Sequence, residues 1–229
     1  MSETIRLYHF VNDKFGFENI QKRRLKLAFP DSVNDLFELR PFDFGEGTQG
    51  HNLSAAWGKA IKKNSKTQGF VSFSEGWSVP TMWAHYADNH KGVCLGFDLP
   101  VYRDASTRYG DKIIYVNELI EIDERLLNDT EYNQKMQGIA KRTKGTHWEY
   151  EQEWRYWFSL DDTEKRSKLD DPSAIFFAHF NHDLILREVI LGAKSKYSSK
   201  DIRDLLKPSD QVKFATARPS FRKFAMVPQ

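Results

Sequence analysis

The sequence has almost no cysteine, because Cys94 is the single one among 229 residues. A lone thiol excludes an intramolecular disulfide and is typical of a chain that works in a reducing compartment. Residues 1–6 lack the apolar core of a secretory signal. No apolar run approaches the roughly 20 residues that a membrane-spanning helix needs. These absences predict a cytoplasmic protein that has no membrane partner.

An excess of charge of one sign is also missing. The chain has 34 Lys and Arg against 32 Asp and Glu, which leaves a formal charge of +2. This balance gives no overall signal for binding a polyanion. Basic runs at residues 22–24, 62–63 and 141–144 leave a nucleic-acid partner open, although most such runs are solvated faces. The sequence also has no internal repeats and no coiled-coil heptads.

The apolar content of 40% is enough for one sizeable core, and a single domain over residues 1–229 is predicted. Many short strands and few, scattered helices indicate an α+β fold. Residues 41–69 form a Gly-rich excursion, in which residues 53–63 can form a helix, and the stretch is interpreted as solvated. The alternatives are a flexible loop over a site and a basic contact for a polyanion. A charged helical insertion is predicted at about residues 117–144, and a polar loop at residues 161–173.

The most unusual stretch is residues 148–158, which is aromatic enough for a core yet carries several ionisable side chains. As a β-strand it places Glu151, Glu153 and Arg155 on one face. The two carboxylates then lie roughly 7 Å apart, which suits two distinct contacts with one substrate. The alternative is a structural ion pair between Arg155 and one of the two glutamates.

Two further strands carry polar groups. Residues 5–10 are rich in strand-forming residues and include His9, for which a satisfied core histidine is the alternative to a ligand-binding role. Residues 69–74 form a second strand with Ser72 and Ser74 on one face. Small hydroxyls leave room for a ligand and offer it hydrogen-bond donors.

A helix is predicted to begin near Pro80 and to run to about His90. Helical spacing places His85 and Tyr86 about 100° apart, so both are predicted to border a cleft while Trp83 packs into the core. His85 and His90 are five residues apart, not the four that suit two zinc ligands on one helix, and no metal site is predicted.

Several stretches together resemble a bacterial and phage family of domains of unknown function. The family patterns are L-Y-H-aromatic, F/V-N-D-x-F-E, S-F-S-E with M-W-x-H-Y-A-D-x-H-K-G-V-C-L-G-F, W-x-Y-E-x-E-W-R and E-V-I-L-G. They correspond to residues 7–10, 33–38, 72–75 with 82–97, 148–155 and 188–192. The resemblance covers most of the chain outside the Gly-rich excursion and the helical insertion.

The order of a strand with His, a strand S-x-S and a strand E-x-E is also similar to the ADP-ribosyltransferase superfamily. This resemblance implies a split β-sheet core of short strands with peripheral helices, and NAD as co-substrate. It implies that His9 holds the NAD ribose or phosphate and that Ser72 and Ser74 shape the nicotinamide pocket. Glu153 then binds the nicotinamide ribose hydroxyl and stabilises the oxocarbenium-like transition state.

The same resemblance implies that Glu151 orients or deprotonates the acceptor and that Tyr86 stacks on the nicotinamide. Tyr8, Phe73 and His85 complete the expected NAD-binding set. The chain departs from the superfamily at Phe73, which stands where a hydroxyl is usual.

The function expected is an ADP-ribosyltransferase-like enzyme that cleaves the nicotinamide glycosidic bond of NAD. It would transfer ADP-ribose to an unidentified macromolecule, a nucleic acid or a protein, in phage–host conflict. One alternative is an inert nucleotide-binding sensor of a defence or phage system. Another is a nuclease in which Glu151, Glu153 and Asp35 hold Mg²⁺, with Asp88 as a further candidate ligand.

Overall fold

The computed structural model describes residues 3–30, 33–101, 110–165, 175–207 and 210–229. Of the polar loop predicted at residues 161–173, the part from 166 onward lies outside the described residues. No helix that the structure describes is long and apolar enough to span a membrane. The helices are α1 (Asp13–Lys22), α2 (Gly47–Asn64), α3 (Pro80–Tyr86), α4 (Arg125–Asn128), α5 (Thr130–Ala140) and α6 (Ser199–Arg203).

Within the described residues, eight strands form the largest sheet. They are β1 (Thr4–Val11), β4 (Gln68–Ser74), β5 (Val93–Pro100), β6 (Gly110–Lys112), β10 (Glu153–Ser159), β13 (Ile185–Leu191), β14 (Lys213–Pro219) and β15 (Met226–Pro228). Their order across the sheet is β15-β14-β13-β5-β1-β4-β10-β6. The pairs are antiparallel except for β13 with β14, which is parallel, so the sheet is mixed.

Smaller sheets lie beside the large one in the described part of the chain. Their strands are β2 (Arg24–Lys26), β3 (Phe42–Asp43), β7 (Ile114–Val116), β8 (Ile120–Glu121), β9 (Thr143–Gly145), β11 (Glu164–Lys165) and β12 (Phe176–His179). β2, β11 and β12 form one sheet, β3 pairs with β8, and β7 pairs with β9. The combination of helices with a mixed sheet of short strands confirms the predicted mixture of α and β structure.

The main core lies against β5, near the centre of the sheet. Seven of its eight residues are buried, in keeping with the continuous apolar run of its sequence. Leu95 and Phe97 pack in the larger apolar cluster, with Leu7 and Phe73. Cys94 packs in a second cluster that contains helix α3. Burial of each large apolar side chain contributes about 1.5–3 kcal/mol to stability. Because β5 supplies side chains to both clusters, it contributes to the packing on both faces of the sheet.

The helix that the sequence allows at residues 53–63 of the Gly-rich excursion is present and begins earlier, at Gly47. Helix α2 occupies 18 residues of the excursion and buries Leu53 and Trp57. The Trp57 indole donates a hydrogen bond of 2.8 Å to the carbonyl of Leu39, and its ring lies edge-on to Phe42 at 4.9 Å. The interpretation as a solvated excursion is therefore wrong for this helix, because its apolar face finds a partner in α4 and α5.

The predicted insertion at residues 117–144 is helical only in part. Besides α4 and α5, it contains the short strands β8 and β9, which pair with strands from elsewhere in the chain. Leu126, Met136 and Ala140 are its buried apolar residues in the cluster around Trp57. The charged pattern predicted the helices correctly. It did not predict β8 and β9, because strands of two or three residues are too short to show a periodicity in the sequence.

We expect Trp57→Ala to lower the free energy of unfolding by roughly 3–5 kcal/mol, because it leaves a cavity and removes the bond to Leu39. Urea unfolding followed by circular dichroism measures the loss. Lys62→Ala, on the exposed side of α2, is the control and should change stability by less than about 0.5 kcal/mol. Equal small effects of both substitutions would contradict the packing of α2.

Candidate functional site

A cavity of about 410 Å³ opens where β1 and β4 meet. The two strands place Tyr8 opposite Ser74. Beyond this pair, the Nδ1 atom of His9 lies 3.0 Å from the carbonyl oxygen of Ser72, where a regular ladder would have backbone bonds. All nine residues singled out from the sequence line this cavity: Tyr8, His9, Ser72, Phe73, Ser74, His85, Tyr86, Glu151 and Glu153. Their individual roles stay predictions.

The hydroxyl face predicted for β4 lies beside the acidic strand β10. Glu153 stands opposite Ser74 in the antiparallel register. The Ser72 hydroxyl donates to Oε1 of Glu153 at 2.6 Å, and the Ser74 hydroxyl donates to the backbone carbonyl of Glu151 at 2.6 Å. Both serines therefore fix the position of the acidic segment, and the cavity receives a polar wall from two neighbouring strands.

His9 borders the cavity from the gap between β1 and β4. Strand alternation places Tyr8 and Phe10 on one side of β1 and His9 on the other. In agreement, Phe10 packs with helix α3, whereas the His9 ring lies 5.9 Å from Phe73 of the main core. Burial lowers the pKa of His9, although its bond to the Ser72 carbonyl opposes the shift. His9 thus combines the surroundings of a core histidine with an edge on the cavity.

Tyr8 faces the cavity from the opposite side of β1, and a glycine makes room for it. Its hydroxyl donates to Glu188 at 2.8 Å across β5. A Cβ atom on Gly96 would lie 3.0 Å from the Tyr8 ring and 2.9 Å from Cβ of Glu188, so any larger residue would push this pair apart. Burial, and then the bond to Glu188, raise the pKa of Tyr8, so the phenol stays protonated.

The stretch at residues 148–158 is not one continuous strand, and that prediction is wrong for its first half. Thr146–Glu151 form a 3₁₀ helix, and Gln152 has a left-handed backbone with φ of 45°. Strand β10 begins at Glu153. Glu151 therefore reaches the cavity from the end of the 3₁₀ helix, and the left-handed Gln152 separates it from Glu153 at the start of the strand. Aromatic side chains favour a strand, but the tertiary contacts of this segment override that preference.

Glu153 is buried and fully hydrogen-bonded. Arg155 donates from Nε to Oε1 at 2.8 Å and from Nη2 to Oε2 at 2.9 Å, and the Lys144 ammonium lies 3.4 Å from Oε2. Burial alone would raise the pKa of Glu153. The charge and hydrogen bonds of Arg155, with Lys144 and Ser72, lower the pKa to about 2. Glu153 is therefore an ionised carboxylate, held in one orientation, at any physiological pH.

The other half of the Arg155 guanidinium binds Glu38. Arg155 donates through Nη1 to Oε1 and through Nη2 to Oε2 of Glu38, the latter at 2.9 Å. Burial raises the pKa of Glu38, and the nearby Arg155 opposes the shift. The predicted alternative of a structural ion pair is thus confirmed for Arg155 and Glu153. Glu38 was not predicted as a cavity residue, although it is the last residue of the V-N-D-L-F-E pattern.

Lys144 connects the two glutamates. Its ammonium lies 2.6 Å from Oε2 of Glu151 and stands 4.7 Å from the centre of the Trp148 ring. Burial would lower the pKa of Lys144, but the charges of Glu153 and Glu151 outweigh it and raise the pKa. In the sequence, Lys144 is only the last residue of the basic run at residues 141–144, and no role in the site was predicted for it. The one signal in the sequence was that Lys144 lies a few residues before Glu151 and Glu153. Lysine is rarely buried unless it is paired, so its burial could not be predicted without knowing those partners.

Helix α3 forms the opposite wall of the cavity. Trp83 is completely buried, and its indole donates to the carbonyl of Trp77 at 2.6 Å. His85 and Tyr86 line the cavity, so the predicted division of the helix into two faces is confirmed. The Tyr86 hydroxyl donates to Oε1 of Glu151, and burial, followed by that carboxylate, raises the pKa of Tyr86.

The predicted end of this helix is wrong. α3 stops at Tyr86, not near His90, because Asp88, Asn89 and His90 all have left-handed backbones, with φ of 45°, 52° and 71°. Asp and Asn tolerate this conformation better than most residues. The early stop leaves Tyr86 in the last turn of the helix, where its hydroxyl can reach Glu151.

A second, open cavity of about 450 Å³ continues from the first and shares His85 and Tyr86 with it. Asn12, Asp13, Lys14 and Asp88 complete its lining. The two cavities therefore adjoin at His85 and Tyr86.

The carboxylates do not assemble into a metal site. Across the ranges that the structure describes, no three His, Cys, Asp or Glu side chains are grouped to hold an ion. Asp35 instead accepts a hydrogen bond of 2.9 Å from the backbone of Phe37. Glu151 and Glu153 have Lys144 and Arg155 as their cationic partners. The nuclease alternative thus finds no ligand set in the described part of the chain.

Residues 82–156 match the model of a family described as "Protein of unknown function (DUF2971)". The match spans about a third of the chain and confirms, for this stretch, the predicted resemblance to a family of unknown function. No curated protein and no solved structure matches the chain. The DUF2971 stretch supplies Tyr86, Lys144, Glu151 and Glu153 to the cavity, whereas β1, β4 and Glu38 lie outside it.

The low pKa of Glu153 predicts a pH-dependent contribution to stability. The pKa is about 2 in the folded protein against an ordinary value of 4.5. Folding therefore favours the ionised form, and this stabilisation is fully present above about pH 4.5 and is lost as the pH falls towards 2. We expect Glu153→Gln to cost about 3–5 kcal/mol at pH 7, because it removes a partner of buried Arg155, and less as the pH approaches 3.

Urea unfolding of the wild type and Glu153→Gln between about pH 7 and pH 3 measures this difference. Glu118→Gln, at an exposed carboxylate, is the control and should follow the wild type throughout. A difference that stays constant over the whole range would show that the charge of Glu153 is not what stabilises the fold.

Proposed function

We propose that the chain is an ADP-ribosyltransferase-like enzyme that cleaves the nicotinamide glycosidic bond of NAD. The observation that carries the proposal is the convergence of Ser72, Ser74, Glu153 and Tyr86 on one cavity, with His9 at its edge. His9, the two serines and Glu153 lie on the neighbouring strands β1, β4 and β10, which follow one another along the chain in the order of the superfamily pattern. Tyr86 comes from helix α3. The split between β1 and β4 supports the proposal of an ADP-ribosyltransferase-like split sheet.

The chemistry requires a fixed negative charge, and Glu153 supplies one. When the bond between C1′ and the nicotinamide nitrogen breaks, its electron pair leaves with neutral nicotinamide and positive charge develops on the ribose. A buried carboxylate stabilises such a cation more than an exposed one does, because less water screens it. With all groups ionised, the three glutamates Glu38, Glu151 and Glu153 exceed Lys144 and Arg155 by one negative charge.

The dimensions of the site suit a dinucleotide. The cavity at β1 and β4 has a volume typical of sites for small ligands and accommodates the nicotinamide riboside. The adjoining open cavity receives the rest of the molecule, with Lys14 as a cation for the diphosphate. Tyr86 lies between the two, which agrees with a role in stacking on nicotinamide.

Glu151 is the candidate residue for the acceptor. Its Oε1 accepts the Tyr86 hydroxyl and its Oε2 accepts the Lys144 ammonium. The hydroxyl of the molecule that accepts ADP-ribose could take the place of the Tyr86 hydroxyl. It would then donate its hydrogen bond to Oε1 of Glu151. In this arrangement Lys144 keeps Glu151 oriented during the exchange, because it holds the other oxygen.

A second candidate function is a nucleotide-binding module without catalysis. The observation in its favour is that every carboxylate of the cavity already has a cationic partner. Such carboxylates shape and charge a binding site without taking part in a reaction. Binding of NAD without release of nicotinamide would favour this function.

The test incubates NAD that is labelled in its nicotinamide ring with purified protein and measures the nicotinamide released. We expect the wild type to release nicotinamide and Glu153→Gln to lose about 10²-fold or more of the rate, because the amide cannot oppose the developing cation. Isothermal titration of both proteins with NAD measures binding separately. Loss of binding alone, with an unchanged rate at saturating NAD, would contradict the electrostatic role.

Glu153 also stabilises the fold, so its substitution can lower the rate through unfolding alone. The control is therefore a substitution that removes an ion-paired carboxylate outside the cavity. Asp98 accepts hydrogen bonds from Arg6 at 2.6 Å and Arg187 at 3.0 Å, and it does not line the cavity. Asp98→Asn should lower stability while the rate per folded molecule stays at the wild-type value. Rates are measured below the unfolding transition of both variants. An equal loss of rate in both variants would mean that disturbance of the fold, not the charge of Glu153, is responsible.

A further inference from the structure

Residues 218–224, which are the end of β14 and most of the turn that leads to β15, carry two exposed aromatic rings. Phe221 is 92% exposed and Phe224 is fully exposed. A backbone hydrogen bond of 2.9 Å from Ser220 to Ala225 closes the loop, so its conformation is defined by its own bonds. An exposed ring forgoes the stabilisation that burial provides. Two such rings on one short loop therefore indicate a surface that another molecule covers.

This aromatic-basic loop is also locally positive. Arg218, Arg222 and Lys223 lie within it, and residues 211–229 contain no Asp or Glu. The Arg218 guanidinium stands 4.8 Å from the centre of the Phe221 ring, which keeps a cation beside an aromatic face. In a chain with a net charge of only +2, this concentration of one sign on one loop favours a negatively charged partner.

The loop lies close to the helix that borders the cavity. Met226, which follows the loop, is buried in the same apolar cluster as Trp83, and its N–H donates to the carbonyl of Ser78 at 2.7 Å. Helix α3 begins two residues after Ser78 and carries Tyr86 to the cavity. At about 1.5 Å per helical residue, the distance along this element is on the order of 10 Å.

We propose that the aromatic-basic loop binds single-stranded nucleic acid. Its two rings stack on unpaired bases, and its three cations neutralise neighbouring phosphates. A duplex offers its phosphates but not the faces of its bases, so single strands bind more tightly. Identification of this strand as the acceptor of ADP-ribose rests on the proposed function, whereas binding by the loop does not.

The positions of the charges separate this partner from a membrane surface. Arg222 and Lys223 lie between Phe221 and Phe224 in the sequence. Insertion of both rings into lipid would carry these two charges towards the hydrocarbon, which is costly. A nucleic acid contacts rings and cations side by side, because bases and phosphates alternate along the strand.

The experiment measures fluorescence anisotropy of a labelled oligothymidylate of about 12 nucleotides, titrated with the full chain in the absence of NAD. We expect Phe221→Ala with Phe224→Ala to weaken binding at least about 10-fold. Arg222→Ala with Lys223→Ala should weaken binding and reduce the slope of log Kd against log salt by about 1.4. A duplex of the same length should bind less tightly than the single strand.

Phe15 on α1 and Lys62 on α2 provide the control, because they are another exposed ring and another exposed cation, and neither lines a cavity of the site. Their double alanine variant should bind the oligonucleotide like the wild type. All variants should keep the wild-type urea midpoint, since the exchanged side chains are exposed. Undiminished binding by the loop variants, or no binding by the wild type, would overturn the proposal.

Two other partners give distinct results. Loop-dependent binding to vesicles with anionic lipids, without oligonucleotide binding, would identify a membrane partner and overturn the proposal. Sedimentation that shows a dimer lost in Phe221→Ala with Phe224→Ala would identify a second copy of the chain as the occupant and would also overturn it. Failure to release nicotinamide leaves the anisotropy result intact, so the two proposals fail separately.

Discussion

The buried guanidinium of Arg155 is the constraint on which the rest of the site depends. A buried charge is tolerated only when its hydrogen bonds are satisfied and its charge is paired. Here Glu153 occupies one side of the guanidinium and Glu38 the other. This requirement holds the segment that contains Asn34 and Glu38 against β10, and the same segment forms part of the cavity wall. The ion pairs therefore shape the cavity as well as stabilise the fold.

Lys144 extends the network to Glu151 and, through it, to Tyr86 at the end of α3. The chain of contacts joins a loop, the central sheet, a 3₁₀ turn and a helix. Each carboxylate has little freedom, since each of its oxygens already has a donor. In such a site the protein fixes the direction of its negative charges during folding, and a ligand meets an arrangement that needs little reorganisation.

The cavity owes its position to an irregularity in the sheet. β1 and β4 would close it if their ladder continued, but they separate beyond Tyr8 and Ser74. His9 fills part of this gap, and its neutral ring satisfies the Ser72 carbonyl. The aromatic-basic loop lies beyond α3, where β15 packs against the start of the helix. The start of α3 thus connects the loop to the helix whose last turn borders the cavity.

The sequence by itself determined the strands β1, β4 and β5 and the two faces of α3, because these follow from local periodicity and short patterns. The nine cavity residues were selected mainly by resemblance to a superfamily, and the structure brings them to one cavity while their roles stay predictions. The sequence did not reveal Glu38 or Lys144, nor that Glu151 leaves the strand at Gln152. Glu38 and Arg155 are 117 residues apart, so their pairing depends on how distant segments meet. Only the tertiary structure decides such contacts. A buried charge is stable when a partner of opposite charge compensates its loss of hydration, and the local sequence does not specify that partner.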